Sequence, residues 1–367
     1  MNWRTFIDVL NNSEIVSCTM RNRDYSLDLI RVIACLMIVL MHSPMSGLGT
    51  SGFVLCGVSY FTAPGIGLFF MISGALLLKG NGGRPFETRY FLQRRFTKIL
   101  VPLVFWTLVG WGLEQCGVKN TEQGILWFMY CLAGMYLLTP ILSRWLCGAS
   151  VKEVEFYLLL WVLTMCVPLV GIWMPVNESD TSWLYYFHGY VGYYVLGFYL
   201  QNYKGKGWLW TNIGKVMWGI VLLLFSIVLP LALFILQIEV DFYRVCWYLS
   251  ITVALQCVAW WSLVKRMMKA ATQLPVWVGV LSNLCFGIYL VHILVMRNFL
   301  WEMEWMMNMN GIVQIVVCTI LTFLISAAVL CYQILAVVVC TILTFLISAA
   351  ASWGISKIPY VRKVIGC

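Results

Sequence analysis

The sequence predicts an all-α polytopic membrane protein, a bundle of about ten transmembrane helices, and three observations carry that reading. Of 367 residues, 62% are hydrophobic and only 11% charged, whereas a soluble domain carries about 25% charged residues and cannot expose so much hydrocarbon to water. Apolar stretches of about 20 residues, enough to cross roughly 30 Å of hydrocarbon, recur along the chain. With residue 1 placed inside, every one of the 24 Lys and Arg except Lys119, Arg244 and Arg297 falls in an inner loop or at an inner helix end. That asymmetry is what the positive-inside rule demands. It makes the net charge of +9 a topology signal and not a nucleic-acid footprint.

The elements follow in order. Residues 1–26 are polar and mixed in charge, read as a cytoplasmic N-terminal arm with no cleavable signal. The first span, 27–45, leaves from Arg21 and Arg23; the second, 63–79, returns to Lys79. The third, 97–114, is entered through Arg94, Arg95 and Lys98, and the fourth, 124–142, ends at Arg144. The fifth, 154–172, follows Lys152; the sixth, 184–201, leads to Lys204 and Lys206. The seventh, 215–236, starts at Lys215, and the eighth, 243–263, closes on Lys265, Arg266 and Lys269. The ninth and tenth are 276–297 and 311–331. Trp127, Trp173, Trp183, Tyr185 and Tyr186 fit an aromatic belt at headgroup level.

The end of the chain repeats itself. Val316–Ala328 and Val338–Ala350 are the same thirteen residues, offset by 22, and architectural repeats diverge, so an identical copy reads as a local duplication. Residues 311–356 as one helix would measure about 69 Å, too long for a single crossing. Two crossings would put Lys357, Arg362 and Lys363 outside, against the charge rule. The duplicated apolar segment and basic tail, 332–367, are therefore read as an insertion after ten helices in preference to a functional eleventh. The side on which the C-terminus lies stays open. The fourteen Cys are scattered without zinc-type spacing and read as small buried apolar residues, with no metal site.

One constellation stands out. Arg31 and His42 lie in the first span with ten residues between them. Eleven helical steps come to three turns plus about 20 degrees, so the two side chains share one face about 16 Å apart. Asp28, three residues before Arg31, is placed to pair with it. Ionisable groups at membrane depth are costly and face the bundle interior or water by default. Each residue alone reads better as a snorkelling interfacial cation or a helix-end cap; the three on one face give a functional site equal standing with that reading.

The stretch Tyr25–His42, YSLDLIRVIACLMIVLMH, resembles the opening helix of the membrane acyltransferase 3 family, whose signature is this Arg and His pair. GLFFMISGALL (67–77), YFLQRRFTKILVPLVFW (90–106), LWFMYCLAGMYLLTPIL (126–142), YYVLGFYL (193–200) and SNLCFGIYLVH (282–292) are similar to later family motifs in the same order. One departure is Ile125, where the family often has His. The resemblance covers roughly 25–300 and marks 27–331 as an acyltransferase transmembrane domain.

What the resemblance implies is transfer of an acyl group, commonly acetyl, from a cytoplasmic donor such as acyl-CoA to a hydroxyl of a cell-surface polysaccharide or glycolipid. The place would be a bacterial inner membrane. His42 would act as base or as transient acyl carrier, with Arg31 and Asp28 completing the catalytic set. Arg94, Arg95 and Lys98 would grip donor phosphates, although inner basic residues are expected for topology alone. Ser73, His188, Tyr289 and His292 are candidates for substrate binding. Against this, Ser73 and Gly74 read as small residues for close helix approach, His292 as a structural buried His, and His188 as an interfacial one. No tightly bound cofactor and no nucleic-acid partner are expected. The rival reading, a transporter or flippase, calls for internal symmetry with broken helices in matching halves, and no such twofold repeat is seen.

Overall fold

The computed structural model describes residues 24–44, 52–79, 87–115, 126–170, 184–203, 216–235, 246–270 and 275–331. The expectations for the arm before residue 24, the duplicated tail beyond 331 and Ile125 lie outside these residues. No strand occurs among the described residues.

Asp24 opens α1 (Tyr25–His42), its carboxylate accepting from the Ser26 amide at 3.2 Å, the usual cap for a helix N-terminus. Between the first two expected spans the chain is helical from residue 52: α2 (Gly52–Thr62) runs through a turn at Ala63 into α3 (Pro64–Leu77). FVLCGVSYF is apolar enough to continue the span outward, and Pro64 at the first helical position loses no hydrogen bond there. After Thr88–Phe91 and a π turn at Leu92–Phe96 comes α4 (Thr97–Gln115). Next are α5 (Trp127–Gly148), α6 (Val151–Val170), α7 (Val191–Asn202), α8 (Val216–Ile235) and α9 (Ile251–Ala270). α10 (Val276–Val295) continues into a π turn at Met296–Leu300, and α11 spans Gly311–Cys331.

Each of the ten expected spans coincides with a helix, and six of these are long and apolar enough to cross a bilayer: Tyr25–His42, Val54–Leu77, Thr88–Gln115, Trp127–Gly148, Trp277–Leu300 and Gly311–Cys331. Boundaries moved where caps and breaks decided them. The eighth starts late, at Ile251, because Ser250 caps it by accepting from the Val253 amide. It runs on to Ala270, past Lys265, whose ammonium pairs with Asp24. The sixth starts late because Gly189, at φ 110°, breaks the chain after a short turn at Tyr185–Phe187, a conformation only glycine adopts without strain.

α3 is the hub. It packs most extensively on α7 and also on α1, α9 and α5. A Cβ on Gly74 would collide with the Tyr194 backbone, and one on Gly197 with that of Met71, so the two helices touch through glycine, as membrane helices do. Gly74 thus serves the close approach that its small size suggested. Contacts sort the helix ends into two groups. At one end Lys265 Nζ reaches Asp24 Oδ2 at 2.6 Å, Gln201 Nε2 donates to the same oxygen at 2.9 Å, and the Lys79 amide donates to Ser143 Oγ at 3.3 Å. At the other end lie His42, Trp127, Tyr190 and Trp247. A second apolar cluster seals α1 against α10 and α11, around Cys35, Val39, Ile288, Met296 and Cys318.

Five cysteines, Cys35, Cys246, Cys257, Cys285 and Cys318, are buried as expected, whereas Cys56 and Cys331 are exposed.

Candidate active site

The opening helix supplies both ends of the site. Arg31 Nη1 donates to Ser282 Oγ at 2.9 Å and stands 3.5 Å from Asp28 Oδ1, and Ser282 Oγ donates to that same carboxylate oxygen at 2.6 Å. Asp28 and Ser282 are 4% and 2% exposed. A carboxylate so deeply buried is tolerable only when paired and hydrogen-bonded; one serine hydroxyl here serves both ions, donating to one and accepting from the other.

Three turns further on, the His42 ring meets that of His292 edge to face, with centroids 5.2 Å apart. Arg31 and His42 therefore address the same neighbour, α10, through Ser282 and His292. These partners are themselves ten residues apart, so α1 and α10 run parallel. The face deduced from spacing is the face turned into the bundle.

His42 Nδ1 lies 2.8 Å from the Ile38 carbonyl. A carbonyl only accepts, so Nδ1 carries the proton and the neutral ring keeps its lone pair on Nε2, the form a general base requires.

The ring lines a cavity of about 520 Å³ together with Ile38, Met41, Ser59, Ile66, Trp127, Phe128, Tyr190, Trp247, Tyr248 and Tyr289. Such a volume suits a small ligand or the end of a larger one. Its walls are fixed: Tyr193 donates to the Tyr248 carbonyl at 2.7 Å, Tyr248 reaches Met41 Sδ at 3.1 Å, and Trp127 stands 5.6 Å from both the Tyr190 and the Tyr248 ring. Trp127, expected in the headgroup belt, forms part of the cavity wall, and Tyr186 is 85% exposed.

The remaining candidates divide. Tyr289 lines the cavity, and His292 is fully buried behind it, 5.9 Å from Tyr289 ring to ring. Ser73 donates to the Phe69 carbonyl at 2.9 Å, one turn back on its own helix. His188 is exposed before α7 and is not among the residues lining the cavity. Arg94, Arg95 and Lys98 are all exposed where a π turn enters α4, with Arg94 bonded to the Tyr90 hydroxyl and 5.6 Å above its ring. Arg95 and Arg31 both lie within electrostatic reach of Tyr136 on α5, which links the basic entry to the Arg31 end of α1. Among the described residues, no group of three or more metal-ligating side chains occurs.

Outside the spans, Asp24 is informative. Burial alone would raise its carboxyl, yet hydrogen bonds from Lys265, Ser26 and Gln201 outweigh that and hold it well below the usual carboxylate range.

Sequence reasoning passed over Ser282 and the Trp247 and Tyr248 wall. Ser282 opens the stretch that ends in His292, so the motif held it, but only the packing of α10 on α1 shows what its hydroxyl does.

Arg31 with Asp28 and Ser282 toward one end of α1, and His42 beside an aromatic cavity at the other, are the groups that the opening helix offers to a ligand. The family of the acyltransferase domain matches residues 24–331, and the chain belongs to that acyltransferase 3 family. Searches of curated proteins and of solved structures gave no match.

Proposed function

We propose that this protein is an integral-membrane O-acyltransferase of about ten crossings, N-terminus cytoplasmic, in a bacterial inner membrane. It moves an acyl group, acetyl in the simplest case, from a cytoplasmic acyl-CoA to a hydroxyl of a cell-surface polysaccharide or glycolipid. The observation that carries the reading is His42, with its Nδ1 proton committed to the Ile38 carbonyl, opening by its side chain into the aromatic cavity. The parallel packing of α1 on α10, and the sorting of helix ends into two groups, support the alternating crossings and the charge bias supports the orientation.

In this reading the donor enters at the Arg31 end. Arg94, Arg95 and Lys98 meet its phosphates first, and Arg31, held by Asp28 and Ser282, takes the deeper part. The acceptor stacks on the aromatic walls with a hydroxyl at His42. Nε2 takes the hydroxyl proton as the oxygen attacks the thioester carbonyl; the C–S bond breaks, and the thiolate leaves with that proton. Tyr289 and Ser59 supply polar contacts to the acceptor. His188 and Ser73 stand outside the cavity and act, if at all, on the parts of the ligands that extend beyond it.

The test is mass spectrometry of surface glycans from cells carrying wild type, His42→Ala or Arg31→Ala at equal membrane protein level. Loss of acylation in both variants is expected. Unchanged acylation in both removes the mechanism.

A further inference from the structure

The cavity beside His42 is selective in its chemistry. Six of its eleven lining residues are aromatic: Trp127, Phe128, Tyr190, Trp247, Tyr248 and Tyr289. They come from α5, from the entries of α7 and α9, and from α10, so distant parts of the chain converge on one wall. Within it Trp127 is flanked by Tyr190, tilted 37° away, and by Tyr248, tilted 31° away. Tyr190 is backed in turn by the Phe70 ring, stacked at 5.0 Å.

Charge is what this wall lacks. Among the described residues that line it there is no Asp, Glu, Lys or Arg, and His42 is neutral with its Nδ1 proton committed to the Ile38 carbonyl. Arg297, within electrostatic reach of His42, stands 5.3 Å over the Trp301 ring and is not part of the lining. An ionised carboxylate or phosphate brought against such a wall loses water and gains no partner, which is costly. Hydrogen-bonding groups are nevertheless present, on Ser59, His42 and the three tyrosines.

Apolar ring faces, hydrogen-bonding groups and no charge together match a neutral sugar. Its ring turns C–H groups toward the electron-rich face of an aromatic side chain and keeps hydroxyls around its rim. A quaternary ammonium group also suits aromatic faces, but it offers nothing to the hydroxyls or the imidazole.

Resting on the acyltransferase reading, we propose that the cavity seats an uncharged sugar residue against the Trp127, Tyr190 and Tyr248 rings, and that the hydroxyl acylated belongs to that residue. Trp127, between the other two rings, sets the preference. A sugar carrying a carboxylate, phosphate or sulfate is refused at this position, whatever charge the rest of the glycan bears.

The test measures binding without any donor. Wild-type protein in nanodiscs of phosphatidylethanolamine and phosphatidylglycerol is titrated with methyl glycosides of gluco, galacto and manno configuration, each as the hexoside and as the matching uronide. Binding is read by saturation-transfer NMR. The members of a pair differ only at the sixth carbon, so charge changes while the ring is kept. At least one hexoside should bind at least about 10-fold more tightly than its uronide. The proposal is overturned if no hexoside reaches that margin, if none of the six binds, or if choline binds more tightly than every hexoside.

Trp127→Ala should weaken the preferred hexoside about tenfold, the worth of a stacking partner, and Trp127→Phe should recover most of that loss. A folded Trp127→Ala that binds as wild type does would overturn the role given to this ring. If Trp127→Ala fails to fold, the wild-type pairs decide the matter. Loss of glycan acylation in His42→Ala without any hexoside preference sinks this inference alone, whereas a hexoside preference beside unchanged acylation in His42→Ala sinks the acyltransferase mechanism and leaves a sugar site.

Discussion

Replacing Ser282 by alanine probes the end of α1 that the donor is proposed to meet. The hydroxyl accepts from Arg31 at 2.9 Å and donates to Asp28 at 2.6 Å. Each hydrogen bond to a charged group is worth about 1.5–3 kcal/mol. Alanine removes both, but Arg31 and Asp28 already stand 3.5 Å apart and can close on one another, recovering about one such bond. The net loss is then about 1.5–3 kcal/mol. If Arg31 acts on the donor in the transition state, that loss lowers the rate about 10- to 150-fold, at about 1.36 kcal/mol per factor of ten. The assay is glycan acylation per unit of membrane protein, with thermal unfolding in detergent recorded alongside. Ser282→Thr keeps the hydroxyl and should restore most of the rate. Wild-type acylation by Ser282→Ala would show that this network does not hold Arg31 for catalysis, and a loss confined to thermal stability would make it purely structural.

Other substitutions test other links. Gly74→Val drives a branched side chain into the Tyr194 backbone, where neither helix can yield locally; it should cost at least about 3 kcal/mol and abolish a monodisperse elution peak, and a normal peak would contradict the tight α3 and α7 contact. Asp24 has its carboxyl held below the ordinary value, so its contribution is complete above the unfolded-state pKa of about 3.9 and fades as pH falls through the lower folded value. The gap in unfolding temperature between wild type and Asp24→Asn should therefore be flat from neutral pH to about pH 5 and shrink only below about pH 4; a gap that grows on acidification would reverse the sign. Deleting Val329–Ala350, 22 residues including the second copy of the repeat, should leave an inserted protein of normal abundance, and loss of expression would make the duplicated stretch a structural element.

Much of this arrangement is legible in the chain. Helical arithmetic over eleven positions placed Arg31 and His42 on one face, and hydropathy placed a helix in each of the ten expected spans. What escaped has a common cause. Ser282 and Arg31 are 251 positions apart, so no local period connects them. Trp127 reads from sequence only as a belt residue, and it is its ring neighbours, Tyr190 and Tyr248, that place it in the cavity wall. The shifts at α7 and α9 came from a single glycine with positive φ and a serine cap, features of a few atoms that a window of twenty apolar residues averages away. The helix at 52–62 falls between two expected spans, where Gly, Ser and Thr interrupt the apolar run, although its centre is apolar and continues into the helix that follows.

In the proposed mechanism the donor meets the protein at Arg31 and the acceptor at His42. Inside-out membrane vesicles, which expose the cytoplasmic face, are given radiolabelled acetyl-CoA, and the label in extracted glycan and glycolipid is counted for wild type and His42→Ala. Label is expected in wild-type inside-out vesicles, none with His42→Ala, and none when the same donor is supplied to right-side-out vesicles. Equal labelling from both orientations, or labelling that survives His42→Ala, would contradict it.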